Sequence, residues 1–543
     1  MWEALAVLLS IALLVAIIVI LTQFDHQPQP QWKYVSLNTV VSWLSTLSKG
    51  CVIYAINEAL GQLKWVWFAE NARPMPNLRT FDNASRGFYG SAELIWTLRA
   101  KHFAVWGSLA VILALAFDPF AQNLIHYYTN LVNDPSQTAL VANTTNYTAY
   151  GPAYDNGAFI YVHSAMKANV YNSLFNNDPL KPWSIPQYTC SSGNCTWAPI
   201  AALEVQANCS NVTDHLQYSC SRIPDHSSSF AKQDNCSVTL PSSNLSTSFI
   251  RGFQYGTPIA IGTAVREDFE IVYKNSTLPA IQIIAANSFG ISGEPFSLGA
   301  NKWQARECII EPIVRSSNAT VKNGTYSDTT LAIWRDKWRS GDRDIVDIEP
   351  GFYFEPPWGP ELGMPHNQSF FLSAISVDSM TSFFQDLFSG FTTLLSTSGI
   401  RFVPNQKYFY AGTDFIQTIS VENITGCAAT MTAEKLDCAM NNVAASITKT
   451  FRDSEYVNAN LELSQAHMAR GQAMTNATYI SVHWQWIVLP ALVWLLGAVT
   501  LIGAIWKTRR ANVPKWKNDP MPLLFLFGHG GQTFGDRSLV GSP

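Results

Sequence analysis

The stretch WIVLPALVWLLGAVTLIGAIW, residues 486–506, contains 21 residues and no charge. A helix of this length and composition can cross the hydrocarbon core of a bilayer, which is about 30 Å thick. Tryptophan stands at both ends, where membrane proteins carry interfacial aromatic residues. Pro490 falls in the first turn, a position that a helix tolerates. The stretch therefore predicts a membrane-spanning helix near the end of a chain of 543 residues.

The composition agrees with a membrane protein that also has a folded soluble part. Charged residues make up 14% of the chain, hydrophobic residues make up 47%, and there are 18 Trp. This profile argues against a disordered protein. The net charge of −4 indicates no nucleic-acid-binding surface, so we expect no nucleic-acid partner.

Two further stretches are apolar enough to span a bilayer. ALAVLLSIALLVAIIVIL, residues 4–21, is uncharged. A cleaved signal peptide is the alternative, but a basic n-region and an A-x-A cleavage site are missing here, so we expect a retained helix. Residues 102–125 contain the other stretch, whose apolar run continues past Asp118-Pro119.

The segment from residue 37 to residue 68 is apolar overall but carries several polar residues, Lys49 and Glu58 among them. It is either an amphipathic helix lying on the bilayer or a fourth span over residues 40–60. We favour the span. The basic residues described next indicate that both chain ends lie on the cytoplasmic side, and this requires an even number of spans.

Lysine and arginine residues near the spans set the orientation, because short cytoplasmic loops carry an excess of them. They occur at Arg86, Arg99, Lys101, Lys507, Arg509, Arg510, Lys515 and Lys517, whereas none follows the third span until Lys167. We therefore expect both termini in the cytoplasm and a multi-pass protein that reaches the plasma membrane through the secretory pathway. The expected parts are 1–68 with two membrane helices (about 4–21 and 40–60), a cytoplasmic loop 69–101, a third membrane helix 102–125, an extracytoplasmic domain 126–485, a fourth membrane helix 486–506 and a basic cytoplasmic tail 507–543.

Lys49 and Glu58 are the intramembrane polar candidates. An ionisable residue inside a membrane is costly and indicates function by default. Nine residues separate the two, which places them about half a helical rotation apart, so they cannot pair on one helix face. The partner of Lys49 must come from another helix, for which Asp118 is the candidate. The alternative is a displaced span in which Lys49 reaches the membrane interface.

Residues 126–485 are rich in N-glycosylation sequons. Of the 27 Asn in these residues, 13 begin a sequon, whereas about one in five would do so by chance. The rest of the chain has eight Asn, and of these only Asn83 begins a sequon. Because glycans are bulky and solubilising, we expect these sites at the surface of an extracytoplasmic domain. The candidates are Asn143, Asn146, Asn194, Asn208, Asn211, Asn235, Asn244, Asn275, Asn318, Asn323, Asn367, Asn423 and Asn476.

Eight of the nine cysteines lie in the same domain, at Cys190, Cys195, Cys209, Cys220, Cys236, Cys308, Cys427 and Cys438. An even number in an extracytoplasmic segment implies disulfides. The C-x₄-C spacing at 190–195 suits a zinc knuckle poorly, and we expect no metal. Many pairings are possible; Cys190–Cys195 and Cys427–Cys438 are local candidates only.

Residue patterns in this domain predict a mixed fold. Residues 268–289 are expected to form two strands around a turn, and residues 307–328 a hairpin with an Asn-Gly turn. Apolar residues at helical spacing predict helices over 383–395 and 436–451. The expected fold class is a membrane protein with about four transmembrane α-helices plus one large disulfide-containing α+β extracytoplasmic domain.

Five stretches taken together carry a family resemblance: TFDNASRGFYGS (80–91), LALAFDPFAQNLI (113–125), CSSGNCTW (190–197), SVHWQWIVLP (481–490) and PKWKND (514–519). The chain resembles a large fungal family of membrane proteins known as a domain of unknown function, DUF 3176. The resemblance covers nearly the whole chain and implies several spans and one large cysteine-containing outer domain. It implies no activity, substrate or catalytic residue. It also implies a second cysteine five residues after Cys308, where this chain has Ile313.

Catalytic signatures are missing from the sequence, which has no G-x-S-x-G, H-E-x-x-H, P-loop or G-x-G-x-x-G. We therefore expect no enzyme, no cofactor and no catalytic or metal site. The favoured function is a cell-surface binding, sensing or structural protein with a glycosylated ectodomain. Its expected partners are the lipid bilayer and an extracellular ligand or protein. The alternatives are an ecto-enzyme of unrecognised type and a transporter or channel component that uses Lys49 and Glu58.

Overall fold

The computed structural model describes residues 1–522 apart from 72, 100–101, 155–158, 224–233, 242–244, 252–255, 265, 287–302, 343–347, 366–367, 396–398, 405–409, 411, 423, 430 and 459–467. The chain divides into two compact units. The helical unit comprises Met1–Val132 and Asn476–Pro543, and the β-rich unit comprises Asn133–Thr475.

The α-helices are α1 (Trp2–Phe24), α2 (Leu37–Glu70), α3 (Pro76–Ala84), α4 (Phe88–Leu98), α5 (Ala104–Leu113), α6 (Phe117–Gln122), α7 (Ser164–Phe175), α8 (Ala374–Leu387), α9 (Gly412–Val421), α10 (Thr432–Asn458) and α11 (Val488–Arg510). The strands are β1 (Ile125–Asn133), β2 (Ala139–Ala142), β3 (Asn146–Tyr147), β4 (Ala153–Tyr154), β5 (Phe159–Ile160), β6 (Tyr188–Cys190), β7 (Cys195–Thr196), β8 (Ile200–Asn211), β9 (Gln217–Arg222), β10 (Asp234–Leu240), β11 (Leu245–Ile250), β12 (Gly256–Thr263), β13 (Ile281–Ala286), β14 (Trp303–Lys322), β15 (Thr325–Trp334), β16 (Trp338–Arg339), β17 (Gly351–Phe354), β18 (Phe370–Ser373), β19 (Gly390–Leu395), β20 (Gly399–Pro404), β21 (Met468–Arg470) and β22 (Gln472–Val482).

The helical unit holds all four segments that, among the described residues, are helical, long and apolar enough to cross a membrane. They are Trp2–Phe24, Leu37–Glu70, Ala104–Gln122 and Trp484–Arg510. The chain therefore has the helices of a membrane protein, as the composition and the apolar stretches predict.

The second of these helices is longer than the span expected over residues 40–60. Ser36 begins α2 as an N-cap whose hydroxyl accepts a hydrogen bond from the Thr39 N–H. The helix continues to Glu70 because its later polar side chains have partners: Gln62 bonds to the chain beyond α11, and Lys64 lies 3.7 Å from Asp82. A helix of 34 residues is about 50 Å long, well beyond the thickness of a hydrocarbon core.

The third apolar helix changes its winding midway. α5 ends at Leu113, a 3₁₀ turn follows over Ala114–Ala116, and α6 begins at Phe117. Pro119 lacks the N–H that would continue the α-helical hydrogen bonds to the preceding turn, which accounts for the change. The winding change lies next to Asp118.

Small residues let the apolar helices approach closely, as is common between membrane helices. A Cβ at Gly497 of α11 would lie 2.6 Å from Val52 of α2, and one at Gly107 of α5 would lie 2.7 Å from Thr500. Larger side chains at either glycine would force the helices apart.

The segment after α11 folds back onto α2. The Gln62 carboxamide donates from Nε2 to the Pro514 carbonyl (3.0 Å) and accepts from the Lys517 N–H (2.8 Å). Trp65 donates from Nε1 to the Lys517 carbonyl at 2.8 Å, and its ring lies edge-on to Trp516. These contacts attach residues 514–517 to the helix.

The β-rich unit is built around β14, a strand of 20 residues. β14 pairs antiparallel with β8 along one edge, and with β13 and then β15 along the other. The sheet continues from β13 through β12, β11 and β10 to β9. Helices α7, α8, α9 and α10 contribute buried apolar side chains to the core that this sheet helps to form.

Two local predictions about this unit are wrong in part. Residues 270–273 do not form the first of the two strands expected over 268–289, because the N–H groups of Ile271, Val272 and Tyr273 donate to the buried Glu307 carboxylate instead of a neighbouring strand. The helix expected over 383–395 ends at Leu387, and Gly390 begins β19, which pairs with β12.

The other two patterns are confirmed. β14 and β15 form the hairpin predicted over 307–328, and Asn323 and Gly324 take positive φ angles of 50° and 78° at its turn. The apolar residues at helical spacing over 436–451 lie on α10 and are buried.

Candidate functional site

Lys49 and Asp118 form an ion pair inside the helical unit. Lys49 Nζ of α2 donates to Asp118 Oδ2 of α6, and the two side chains are 25% and 29% exposed. Asp118 is thus the partner that the sequence indicated for Lys49. The pair joins the second and third apolar helices.

Glu58 belongs to a different cluster. It lies near Lys517, whose pKa is raised by the hydrogen bond from its ammonium group to Glu3 and, to a smaller extent, by the Glu58 charge. Lys49 and Glu58 are therefore not paired with each other: Lys49 bonds to Asp118, whereas the Glu58 charge acts on Lys517.

A cleft of 260 Å³ lies between α7 and α10 in the β-rich unit. Its polar lining residues are Tyr147, His163, Asn169, Gln187, Lys449, Thr450, Asp453 and Ser454. Four separate parts of the chain supply them: β3, the start of α7, the segment before β6, and α10. This volume is just below the range of about 300–1,000 Å³ for small-molecule sites.

Lys449 and Asp453 lie one helical turn apart on α10 and form the charged part of the cleft. Lys449 Nζ donates to Asp453 Oδ2 at 2.8 Å and to the Ile185 carbonyl at 2.6 Å. Asp453 Oδ1 accepts from the Gln187 N–H at 2.8 Å. These bonds hold both charges in place and leave an ammonium donor at the cleft.

Tyr147 and His163 also line the cleft. The Tyr147 side chain is 2% exposed, and its hydroxyl has no hydrogen-bond partner among the described residues. Burial raises its pKa, so the hydroxyl keeps its proton. His163 Nδ1 accepts from the Ala165 N–H at 3.4 Å, which leaves Nε2 as the ring nitrogen that can donate. With the Lys449 ammonium and the Asp453 carboxylate, the cleft offers both donors and acceptors and suits a small polar ligand.

The eight candidate cysteines form four disulfides, all in the β-rich unit: Cys190–Cys195, Cys209–Cys308, Cys220–Cys236 and Cys427–Cys438. The two local pairs expected from the sequence are present. The other two pairs join residues directly opposite each other on β8 and β14 and on β9 and β10. Ile313, where the resemblance implied a cysteine, is 2% exposed on β14 and packs as an apolar residue.

One group of potential metal ligands comes within 4.8 Å among the described residues: Cys209, Cys308 and Asp437. Its two sulfur atoms form a disulfide, so neither is a thiolate that could bind a metal.

The sequon asparagines differ in exposure. Six of them are exposed: Asn146, Asn211, Asn235, Asn275, Asn323 and Asn476. Asn194, Asn208 and Asn318 are half-buried, and Asn143 is 8% exposed. A glycan on Asn143 would require local opening of the chain. Asn244, Asn367 and Asn423 lie outside the described residues.

Sequence reasoning did not single out the cleft. Lys449 and Asp453 have the i, i+4 spacing of a helical ion pair, which was the one local signal. Tyr147 and Gln187 come from distant segments and share no motif with them, so only the folded chain brings the four together.

Comparison with known proteins places a family match on the helical unit. Residues 18–126 match a family model described as "Protein of unknown function (DUF3176)". This confirms the predicted family resemblance over those residues, which include Lys49, Asp118 and helices α2 to α6; a fungal source stays a prediction. No curated protein and no solved structure matches the chain.

Proposed function

We propose that this chain, whose residues 18–126 match a family of unknown function, is a multi-pass plasma-membrane protein whose β-rich unit is a glycosylated, ligand-binding domain on the extracytoplasmic side. The observation that carries the proposal is a separation of two features. All four disulfides lie in the β-rich unit, and all four apolar helices found among the described residues lie in the helical unit. Disulfides form and persist in oxidising compartments, which a membrane separates from the cytoplasm.

The charge distribution supports cytoplasmic termini. α11 ends with Lys507, Arg509 and Arg510 in its last turn, and such residues favour the cytoplasmic end of a span. With four spans, the first residues and the last then lie on the same side. Five of the six exposed sequons, all but that of Asn476, lie in the β-rich unit and support the opposite side for it, because glycans need exposed asparagines.

The cleft between α7 and α10 supports ligand binding. The Lys449 ammonium, the His163 imidazole and the neighbouring polar side chains suit a small polar ligand, such as a carboxylate or a sugar. Lys449 and Asp453 are held by fixed hydrogen bonds to each other and to the backbone, which supports binding more than acid–base catalysis. In the helical unit, Lys49 pairs with Asp118 and the Glu58 charge acts on Lys517, which supports a structural role over a shared path for a transported ion.

A glycosidase mobility shift on the full-length protein tests the proposal. The combined variant Asn146→Gln, Asn211→Gln, Asn275→Gln and Asn323→Gln removes four exposed sequons. We expect deglycosylation to shift the wild-type protein strongly and this variant less. Asn83→Gln, in the expected cytoplasmic loop, is the matched control and should shift like the wild type. If glycosidase shifts neither the wild type nor any variant, the β-rich unit is not exposed to the secretory lumen and the proposal is wrong.

A further inference from the structure

Helix α4, with the sequence FYGSAELIWTL, is apolar on two opposite faces. Its inner face consists of Gly90, Ser91, Leu94 and Leu98, which are buried. Gly90 permits close contact with α3, because a Cβ there would lie 2.1 Å from the Asn83 carbonyl oxygen. This face accounts for the packing of α4 within the helical unit.

The opposite face is aromatic and exposed. Phe88, Tyr89 and Trp96 are 55%, 77% and 83% exposed, and Ala92 lies between them on the helix surface. The charged residue of α4, Glu93, lies to one side of this face and accepts a hydrogen bond from Asn83 Nδ2 of α3 at 3.4 Å. The centre of the exposed side of α4 is therefore apolar, with the exposed Glu93 and Thr97 along one edge.

This pattern is the reverse of that in an ordinary surface helix, which turns polar residues outward. Large exposed apolar patches indicate an interaction surface. Tyrosine and tryptophan are the residues that concentrate at the boundary between lipid headgroups and acyl chains. The composition of the face thus fits a membrane interface.

Basic residues stand around the same helix. Arg79 on α3, Arg86 just before α4 and Arg99 at its C-cap are all exposed. Arg86 pairs with Asp82 at 2.6 Å yet keeps 75% of its side chain exposed. Cationic side chains beside an apolar helix face attract the anionic headgroups of a cytoplasmic leaflet.

α4 lies close in the chain to a helix that is long and apolar enough to span a bilayer. α4 ends at Leu98 and the third apolar helix begins with α5 at Ala104, so only a short connection separates the two. Helices α3, α4 and α5 belong to the same compact unit. Trp106 in the first turn of α5 is 50% exposed. The aromatic face of α4 is thus followed directly by an apolar helix with its own exposed aromatic residue.

We propose that Phe88, Tyr89, Ala92 and Trp96 form a membrane-binding face, which lies in the headgroup region of the cytoplasmic leaflet. The inference rests on the proposed function for the existence of a bilayer around the four apolar helices. Residues 88–98 then form an interfacial helix rather than part of a solvated loop. A protein partner on the same face is the competing occupant that the experiment separates.

The experiment places an NBD fluorophore at single cysteines in full-length protein that carries Cys51→Ser. Trp96→Cys and Tyr89→Cys report on the aromatic face, and both positions are exposed enough to change without loss of packing. Thr97→Cys is the matched control, exposed on the same helix but about 100° further round. Ile502→Cys, 66% exposed on α11, reports on the spanning helices. Each protein is reconstituted into nanodiscs of phosphatidylcholine and phosphatidylserine that contain nitroxide lipids.

We expect nitroxides near the headgroup to quench positions 89 and 96 severalfold more than position 97, and nitroxides deep in the acyl chains to quench position 502. Quenching at 502 without preferential quenching at 89 and 96 overturns the α4 proposal alone. Blue-shifted emission at 89 and 96 without lipid quenching identifies a protein contact and also overturns it. No quenching at 502 overturns the proposed function, and the α4 proposal with it.

Discussion

Lys49 of α2 and Asp118 of α6 form an ion pair between two helices, although 69 positions of the chain separate the two residues. The pair lies beside the winding change that Pro119 causes, so the third apolar helix presents its carboxylate to the second at this point. The two charges neutralise each other where the surrounding side chains are mainly apolar.

Breaking this pair from either side should destabilise the protein. We expect Lys49→Leu or Asp118→Leu alone to lower the free energy of unfolding by roughly 1–3 kcal/mol, because each leaves an unpaired charge between helices, and partial exposure reduces the larger cost of a fully buried pair. The double variant should recover part of that loss. Thermal unfolding in detergent measures all three. Strictly additive losses in the double variant would show that the two residues do not stabilise each other.

The Gln62 carboxamide should control the attachment of residues 514–517 to α2. Gln62→Leu removes two hydrogen bonds to the backbone, worth on the order of 1–3 kcal/mol together. We expect faster hydrogen exchange at the Lys517 amide and faster tryptic cleavage after Lys515 and Lys517. Asn71→Leu, at an exposed position just after α2, is the control and should leave both rates unchanged. Equal rates in Gln62→Leu and wild type would contradict the described contact.

Asp328 should contribute a stabilisation that is lost in acid. Burial raises its pKa, but hydrogen bonds and charge from Arg315, together with the charge of Arg452, bring the pKa below its ordinary value. Because an aspartate of the unfolded chain titrates at about pH 3.9, the ionised carboxylate stabilises the fold above about pH 4, and this contribution falls as the pH drops below that. Asp328→Asn should therefore be less stable than wild type mainly above about pH 4. Its unfolding midpoint should also fall less steeply as the pH is lowered below that value.

Unfolding midpoints of the full-length protein between about pH 7 and pH 3 measure this dependence. Asp336→Asn, at an exposed aspartate of the β-rich unit, is the matched control. If the unfolding midpoint fell equally with pH in Asp328→Asn and wild type, the stabilisation of the Asp328 carboxylate by Arg315 and Arg452 would be ruled out.

The cleft residues should differ in their effects on stability. Tyr147→Phe removes a buried hydroxyl without a described partner, so the unfolding free energy should stay the same or rise by about 1 kcal/mol. Lys449→Met leaves Asp453, 6% exposed, without its cation and should cost roughly 2–4 kcal/mol. Thermal shift measures both variants, with and without a panel of small carboxylates and sugars. A large loss in Tyr147→Phe without added ligand would mean that the hydroxyl already bonds to the folded protein.

Several features were predictable because they depend on local sequence. Apolar stretches of sufficient length predicted the four long helices, and Asn323-Gly324 predicted the hairpin turn because both residues take positive φ there readily. The cysteine count predicted disulfides, although spacing suggested only the two local pairs. Asp118 could be predicted as the ion-pair partner of Lys49, because the other apolar segments contain few carboxylates.

Other features depend on contacts between distant segments. The residues from Ile271 to Tyr273 have the pattern of a strand, but their N–H groups donate hydrogen bonds to the Glu307 carboxylate instead of to a neighbouring strand. The Cys209–Cys308 and Cys220–Cys236 pairs follow from strand register, which sequence spacing does not encode.

The sequence by itself determined which parts of this chain are apolar helices and which part contains the paired cysteines and the sequons, because hydrophobicity, cysteine content and sequons are properties of short stretches. The tertiary structure alone decided that Tyr147, His163, Gln187 and Lys449 line one cleft and that the outer face of α4 is aromatic and unburied. Both depend on which face of a helix or strand packs inward, and that is set by the balance of long-range contacts rather than by any local pattern.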